Sequence, residues 1–144
     1  MQLNLSADEV LKSTRSVRKR LDLTRPVPRE VLIECIDIAH QSPTGSNSQR
    51  WRWMIIDDTA TRRAIADIYR ANWAIYATLP GGRPTGDSRD EQLPRVRDSA
   101  TFLSENFERA PMLMIPCIEG RIENVDVATG AGAWGSLLPA VWSF

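Results

Sequence analysis

The spacing of apolar positions divides the chain into five helical stretches and two short, nearly continuous apolar runs. Ser6-Ala7-Asp8-Glu9 reads as a capping box that opens a first short helix, with Val10, Leu11 and Thr14 on one face. Residues 15–25 follow as an arginine-dense extended or turning segment. A second helix starts at Pro28 and carries the stripe Val31, Leu32, Cys35, Ile36 and Ala39. It ends near His40-Gln41, because Pro43 pushes Ser42 out of helical geometry. Ser42 to Gln49 has loop composition, and Trp51 to Ile56 is expected as a strand interior to a sheet. Asp58-Thr59 opens a third helix to about Thr78, with Ile65, Ile68, Tyr69, Trp73 and Tyr76 directed inward. LPGGRPTGDSRDEQ then reads as a mobile loop, either plainly disordered or long enough to act as a lid. A fourth helix is expected from Leu93 to Glu108, a second strand from Met112 to Ile118, and a small-residue-rich helix from Asp126 onward. The alternation of helices and strands gives an α/β or α+β class.

Composition narrows this picture. The 144 residues suit one domain, and 42% apolar with 25% charged residues excludes disordered, collagen-like and coiled-coil chains. Eighteen basic residues balance eighteen acidic ones, so the chain lacks the long-range field of a general nucleic-acid binder or a polybasic membrane anchor. Apart from Lys12 and Lys19 every basic side chain is arginine, the residue suited to bidentate work on carboxylate or phosphate. Cys35 and Cys117 lie in apolar runs without paired spacing and read as reduced core thiols of a cytoplasmic protein. The single histidine, His40, excludes a multi-histidine metal centre and reads as a helix-end or surface residue. MQLNLSADEV has neither a basic n-region nor an apolar h-region, so no signal peptide is expected.

The last stretch carries three signals. Gly130-Ala131-Gly132-Ala133-Trp134-Gly135 spells GxGxxG, but a dinucleotide fingerprint also needs a second strand and a distant acid, and none follows. Val127 to Phe144 lacks charge, yet its glycines, Pro139 and missing basic flanks argue against a membrane span. A buried central helix packing closely through Gly130, Gly132 and Gly135 is expected instead. Its stripe of Leu137, Leu138, Val141, Trp142 and Phe144 needs a partner, either further chain or another subunit. Arg62, Arg63 and Arg70 read as the solvated face of the third helix, and Trp51, Trp53, Trp73 and Trp134 as core or interface.

Two segments carry candidate chemistry. Arg15-Ser16-Val17-Arg18 sets two guanidiniums and a hydroxyl within four residues; it is either a solvated basic turn or a seat for a phosphate monoester. Ser42-Pro43-Thr44-Gly45-Ser46-Asn47-Ser48-Gln49 offers backbone amides around Gly45 and two side-chain amides. It is either a plain turn or a holder for the polar edge of a flat heterocycle.

In order and spacing, Thr14-Arg15-Ser16-Val17-Arg18, then Arg25-Pro26-Val27-Pro28, then Ser42-Pro43-Thr44-Gly45-Ser46-Asn47-Ser48-Gln49-Arg50-Trp51 resemble the nitroreductase family of FMN-dependent oxidoreductases. Ala110-Pro111 before an apolar strand and the helix from Asp126 extend the likeness over nearly the whole chain. Thr14 stands where the family usually has a first arginine, and Arg50 where it has proline. The resemblance implies an α+β sandwich, with a central, mostly antiparallel sheet flanked by helices. It makes residues 1–144 the N-terminal two-thirds of one such domain, without the C-terminal third. It further implies FMN as cofactor, with Arg15, Ser16 and Arg18 on the phosphate and ribityl chain, and Ser42, Pro43, Thr44, Asn47 and Gln49 lining the flavin. NAD(P)H would be the reductant, a nitroaromatic, quinone or related small molecule the acceptor, and the assembly a homodimer engaging neither nucleic acid nor membrane. No catalytic protein nucleophile or metal is implied, since the flavin carries the chemistry. The alternatives are a flavin-binding or sequestering paralogue without turnover, reductive dehalogenation or flavin breakdown on the same architecture, and an interaction module without cofactor.

Overall fold

The computed structural model describes residues 4–79 and 84–144. Met1 to Leu3, which open the stretch read for a leader, and Pro80 to Arg83 of the expected lid loop lie outside the described residues. The order is α1 (Ala7–Ser13), α2 (Arg29–Ala39), a 3-10 turn (Gly45–Asn47), β1 (Trp51–Ile56), α3 (Thr59–Thr78), α4 (Ser88–Asn106), a 3-10 turn (Phe107–Arg109), β2 (Leu113–Ile118) and α5 (Val127–Ser143). The class is α+β. The chain divides into two compact units, Met1–Asp22 with Ala66–Phe107, and Leu23–Ile65 with Glu108–Phe144. The division falls within α3.

Helix boundaries follow local chemistry. Ser6 and Glu9 form the reciprocal capping box, and their hydrogen bonds hold the Glu9 carboxyl below its ordinary value. Asp58 accepts from the Thr61 hydroxyl and amide, each at 2.7 Å, and Asp126 from the Thr129 hydroxyl and the Thr129 and Ala128 amides; both carboxyls are lowered, first by the hydroxyl and then by the amide bonds. α4 starts five residues earlier than its apolar pattern indicated, because Asp87 caps it through the Arg89 amide at 2.9 Å. The polar end of the expected lid loop is therefore the first turn of a helix.

In the second unit β1 and β2 pair antiparallel, from Trp51 opposite Ile118 to Ile56 opposite Leu113. Among the described residues the sheet has two strands, so β1 is not interior to a wider sheet. Only Trp51 and Ile56 of it are buried, one at each end of the strand. Ala39 of α2, Trp51, and Leu137 and Ala140 of α5 form the core, with Trp53, Val141 and Phe144 packed around it. The Trp51 indole N–H donates to the Ser136 carbonyl at 2.9 Å, so the largest core side chain leaves no buried donor unpaired.

α5 differs from its expected form. It is not a buried central helix and does not pack through its glycines: Gly132 and Gly135 are exposed, and a methyl group at either would meet nothing within 4 Å. Contact runs instead through Ser136, Leu137 and Ala140. The GxGxxG string lies inside the helix, with its backbone turned into helical hydrogen bonds rather than a phosphate loop. Among the described residues no helix is long and apolar enough to cross a membrane.

In the first unit Ala66, Ala100 and Ser104 are buried, and the Tyr69 ring stacks on Phe107 with centroids 4.5 Å apart. Ile68 and Tyr76 do not point inward as expected, being 65% and 63% exposed. Ile68 lies at the edge of the apolar stripe, about 60° round the helix from Ile65, and Tyr76 lies in the last turn of α3 with its ring tilted against Trp73.

Candidate functional site

In the first unit, Arg15, Ser16 and Arg18 line one groove of about 850 Å³. The segment leaves α1 at Thr14 and turns between Arg18 and Leu21, whose amide donates back to the Arg18 carbonyl at 3.2 Å. The irregular backbone from Thr14 to Val17, rather than a fully extended one, accompanies the placing of both arginines on the same groove. α4 forms the opposite wall through Gln92, Arg95, Val96 and Ser99, one face of the helix. Arg18 donates to the Ser99 hydroxyl at 3.3 Å, and Arg15 donates to the carbonyls of Lys12 and Thr14 at 3.1 and 2.6 Å. Both guanidiniums are thus oriented by neutral acceptors and keep their charge uncompensated. The groove holds one carboxylate, Asp98, which is ion-paired to Lys19. Among the described residues no carboxylate lies within ion-pair distance of Arg15, Arg18, Arg20 or Arg95.

Local sequence reading missed Lys19, Arg20, Arg95 and Ser99. The i, i+4 spacing of Arg95 and Ser99 places them on one helical face, but nothing local says which segment that face meets.

In the second unit, the loop from Ser42 to Gln49 is built from unusual backbone. Ser46, Asn47 and Gln49 have φ of 54°, 51° and 47°, a left-handed conformation uncommon for residues with a side chain. Tertiary and local hydrogen bonds hold it there. The Gly45 amide donates to Ser136 Oγ at 3.1 Å, the Asn47 and Ser48 amides to the Thr44 and Gly45 carbonyls, and the Gln49 amide to Thr44 Oγ1 at 3.2 Å. The amides expected around Gly45 as donors to a ligand are therefore spent within the unit, apart from that of Ser46. Gln49 Nε2 donates to Asn47 Oδ1 at 2.8 Å, which leaves the Asn47 NH₂ available outward. Ser42 meets the Ser143 hydroxyl at 3.2 Å, and Pro43 is exposed. A cavity of about 310 Å³ beside the loop is lined by Gly45, Ser46, Ser48 and Arg50 from this segment, not by the five residues named above. The phosphate-type and ring-type candidates thus form two groups, one in each unit.

His40 ends α2 and lies within an aromatic cluster. Its ring is parallel to Trp51 at 5.6 Å, and its Nε2 accepts the Trp53 indole N–H at 2.9 Å. It is exposed at the helix end, as expected, and there serves as a packing and acceptor residue. Arg62 is not part of a solvated face: it donates to the Glu108 carbonyl at 3.0 Å, to the Ala110 carbonyl, and to Thr59 Oγ1 at 3.1 Å.

The α+β chain thus carries an arginine-lined groove in its first unit and a constrained polar loop in its second. The nitroreductase family model matches residues 11–139, and the chain belongs to that family. Its fold is similar to that of a nitroreductase-like family protein from Bacillus cereus, at 17% identity and a TM-score of 0.60, over 99% of this chain and 64% of the other. It is also similar to iodotyrosine deiodinase bound to FMN and 3-iodo-L-tyrosine, at 23% identity and a TM-score of 0.59, over 91% of this chain and 66% of that one. The FMN-dependent nitroreductase NfnB from Mycobacterium smegmatis, in complex with NADPH, aligns at 16% identity and a TM-score of 0.57, over 94% and 67% of the two chains. The chain thus spans about two thirds of the length of these relatives, and slightly less of the first. No curated protein matches it in sequence.

Proposed function

We propose that this chain binds FMN and forms part of an oxidoreductase that passes hydride from NAD(P)H to small electron-poor acceptors such as nitroaromatics or quinones, one substrate leaving before the next enters. The reading rests on one observation above the rest. In a nitroreductase-family chain, Arg15 and Arg18 share a groove with Ser16 while no carboxylate among the described residues neutralises them. A phosphate monoester carries about two negative charges and several acceptor oxygens, and two guanidiniums with a hydroxyl match both. The groove residues fit that group.

Arg15, Ser16 and Arg18 would hold the phosphate, each guanidinium already aimed by its bond to a neutral acceptor. Ser42, Pro43, Thr44, Asn47 and Gln49 would line the ring, with the Asn47 NH₂ and the Ser46 amide as the donors left for its polar edge. Bound FMN supplies the hydride relay, so the protein's own groups are needed for grip, orientation and charge rather than for nucleophilic attack. We further assign residues 1–144 to a single family domain that works as a cytoplasmic homodimer. Val127, Trp134, Leu138 and Trp142 form an exposed stripe on one side of α5, suited to a second subunit.

The test is the visible spectrum of the purified chain after equilibration with FMN. Wild type should retain flavin, and Arg18→Ala should weaken retention about tenfold or more, the loss of one charge-assisted contact. Unchanged retention in Arg18→Ala overturns the phosphate assignment. Anaerobic NAD(P)H should bleach the bound flavin; a flavin that stays oxidised would instead mark a binding protein without turnover.

A further inference from the structure

The groove of the first unit carries more positive charge than one phosphate monoester can use. Besides Arg15 and Arg18, it is lined by Arg20 and Arg95, and among the described residues the one carboxylate lining it, Asp98, is taken up by Lys19. Four guanidiniums thus face a volume of about 850 Å³ without an anionic partner among the described residues. Uncompensated like charges in one groove repel, and they are stabilised when anions enter between them. One monoester, at about two negative charges, leaves half of this set unmatched. The two pairs also differ in origin. Arg15 and Arg18 flank Ser16 and are aimed by neutral acceptors, whereas Arg20 lies within the turn that follows Arg18 and Arg95 stands one helical turn before Ser99 on α4.

We propose that Arg20 and Arg95 form a second phosphoryl subsite. Of the two nicotinamide dinucleotides it selects the one phosphorylated on its 2′-hydroxyl. The inference rests on the function proposed above, in which Arg15 and Arg18 are occupied by the flavin phosphate. A 2′-phosphate is a dianion that the unphosphorylated dinucleotide lacks, so the discrimination comes from two guanidiniums left unpaired when the wrong reductant binds.

Titration calorimetry on the FMN-saturated chain with NADP⁺ and NAD⁺ tests this without turnover. NADP⁺ should bind at least tenfold more tightly. Arg20→Gln and Arg95→Gln should each reduce NADP⁺ affinity about tenfold and leave NAD⁺ affinity and flavin retention unchanged. Equal affinity for the two dinucleotides, or binding of neither, overturns the proposal. If the two variants release FMN instead, their arginines belong to the flavin phosphate and the subsite is again refuted. Free pyrophosphate serves as a further arm: competition with NADP⁺ as strong as that of adenosine 2′,5′-bisphosphate would make the site a general polyanion groove and refute 2′-phosphate selection. Loss of FMN in Arg18→Ala, with no dinucleotide preference in wild type, would sink this inference alone; retention of FMN in Arg18→Ala would sink the reading beneath it.

Discussion

Arg62 shows how one side chain can substitute for secondary structure. The segment from Glu108 to Ala110 runs from within a 3-10 turn to just beyond it, before β2, where its carbonyls have no ladder partner, and the Arg62 guanidinium meets two of them. Arg62→Met keeps the apolar stem and removes the donors, leaving those carbonyls to find water. We expect a loss of about 2 kcal/mol, read as a lower midpoint in urea with an unchanged slope. The Arg63→Met variant, on the exposed side of the same helix, should shift the midpoint little. Periodicity grouped Arg62 with Arg63 and Arg70 because it registers only distance around a helix. It carries no information on a carbonyl forty-six residues further along the chain. His40 is a parallel case: its place at a helix end was legible, but the indole that donates to it arrives through the β1 pairing.

At the scale of elements, capping was the most legible feature, since it depends on residues three or four apart. The capping box at Ser6, the caps at Asp58 and Asp126, and the bounds of β1 all follow from such short spacing. α5 shows both what could be read and what could not. Its start is evident in Asp126, yet the small-residue pattern points to the glycines as a packing surface, whereas the contact face is Ser136, Leu137 and Ala140. That difference yields a prediction: Gly135→Ala meets open space inside a helix, so it should stabilise the chain by about 0.5–1 kcal/mol and raise its thermal midpoint. A fall in the midpoint would show that something packs on that face. The cap makes a second prediction. Hydrogen bonds to the Thr129 side chain and amide hold the Asp126 carboxyl below its ordinary value of 3.8. A depressed native value means the cap contributes fully above that ordinary value and is lost as pH falls through the native one. Wild type should therefore outlast Asp126→Ala on heating at neutral pH. The gap should close on acidification below 3.8, and a gap that stayed constant would place the contribution elsewhere.

For the molecule as a whole, zero net charge conceals a local concentration of one sign. Half of the candidate site was visible in the sequence because Arg15, Ser16 and Arg18 are neighbours in the chain. The α4 wall, with Arg95 and Ser99, was not, because only folding brings it there. This distribution of charge fixes how binding must respond to salt. The Debye length shortens from about 10 Å at 0.1 M to about 3 Å at 1 M, so exposed guanidiniums lose their reach toward a dianion across that range. FMN and riboflavin share the ring and differ by the phosphate. If the groove grips the phosphate, FMN affinity measured by flavin fluorescence should fall steeply with added potassium chloride while riboflavin affinity stays nearly flat, and the two should converge at high salt. Arg18→Ala should bring FMN close to riboflavin already at low salt. Parallel salt curves for the two flavins would mean that the ring, and not the phosphate, carries the interaction, and the arginine groove would then have to serve some other anion.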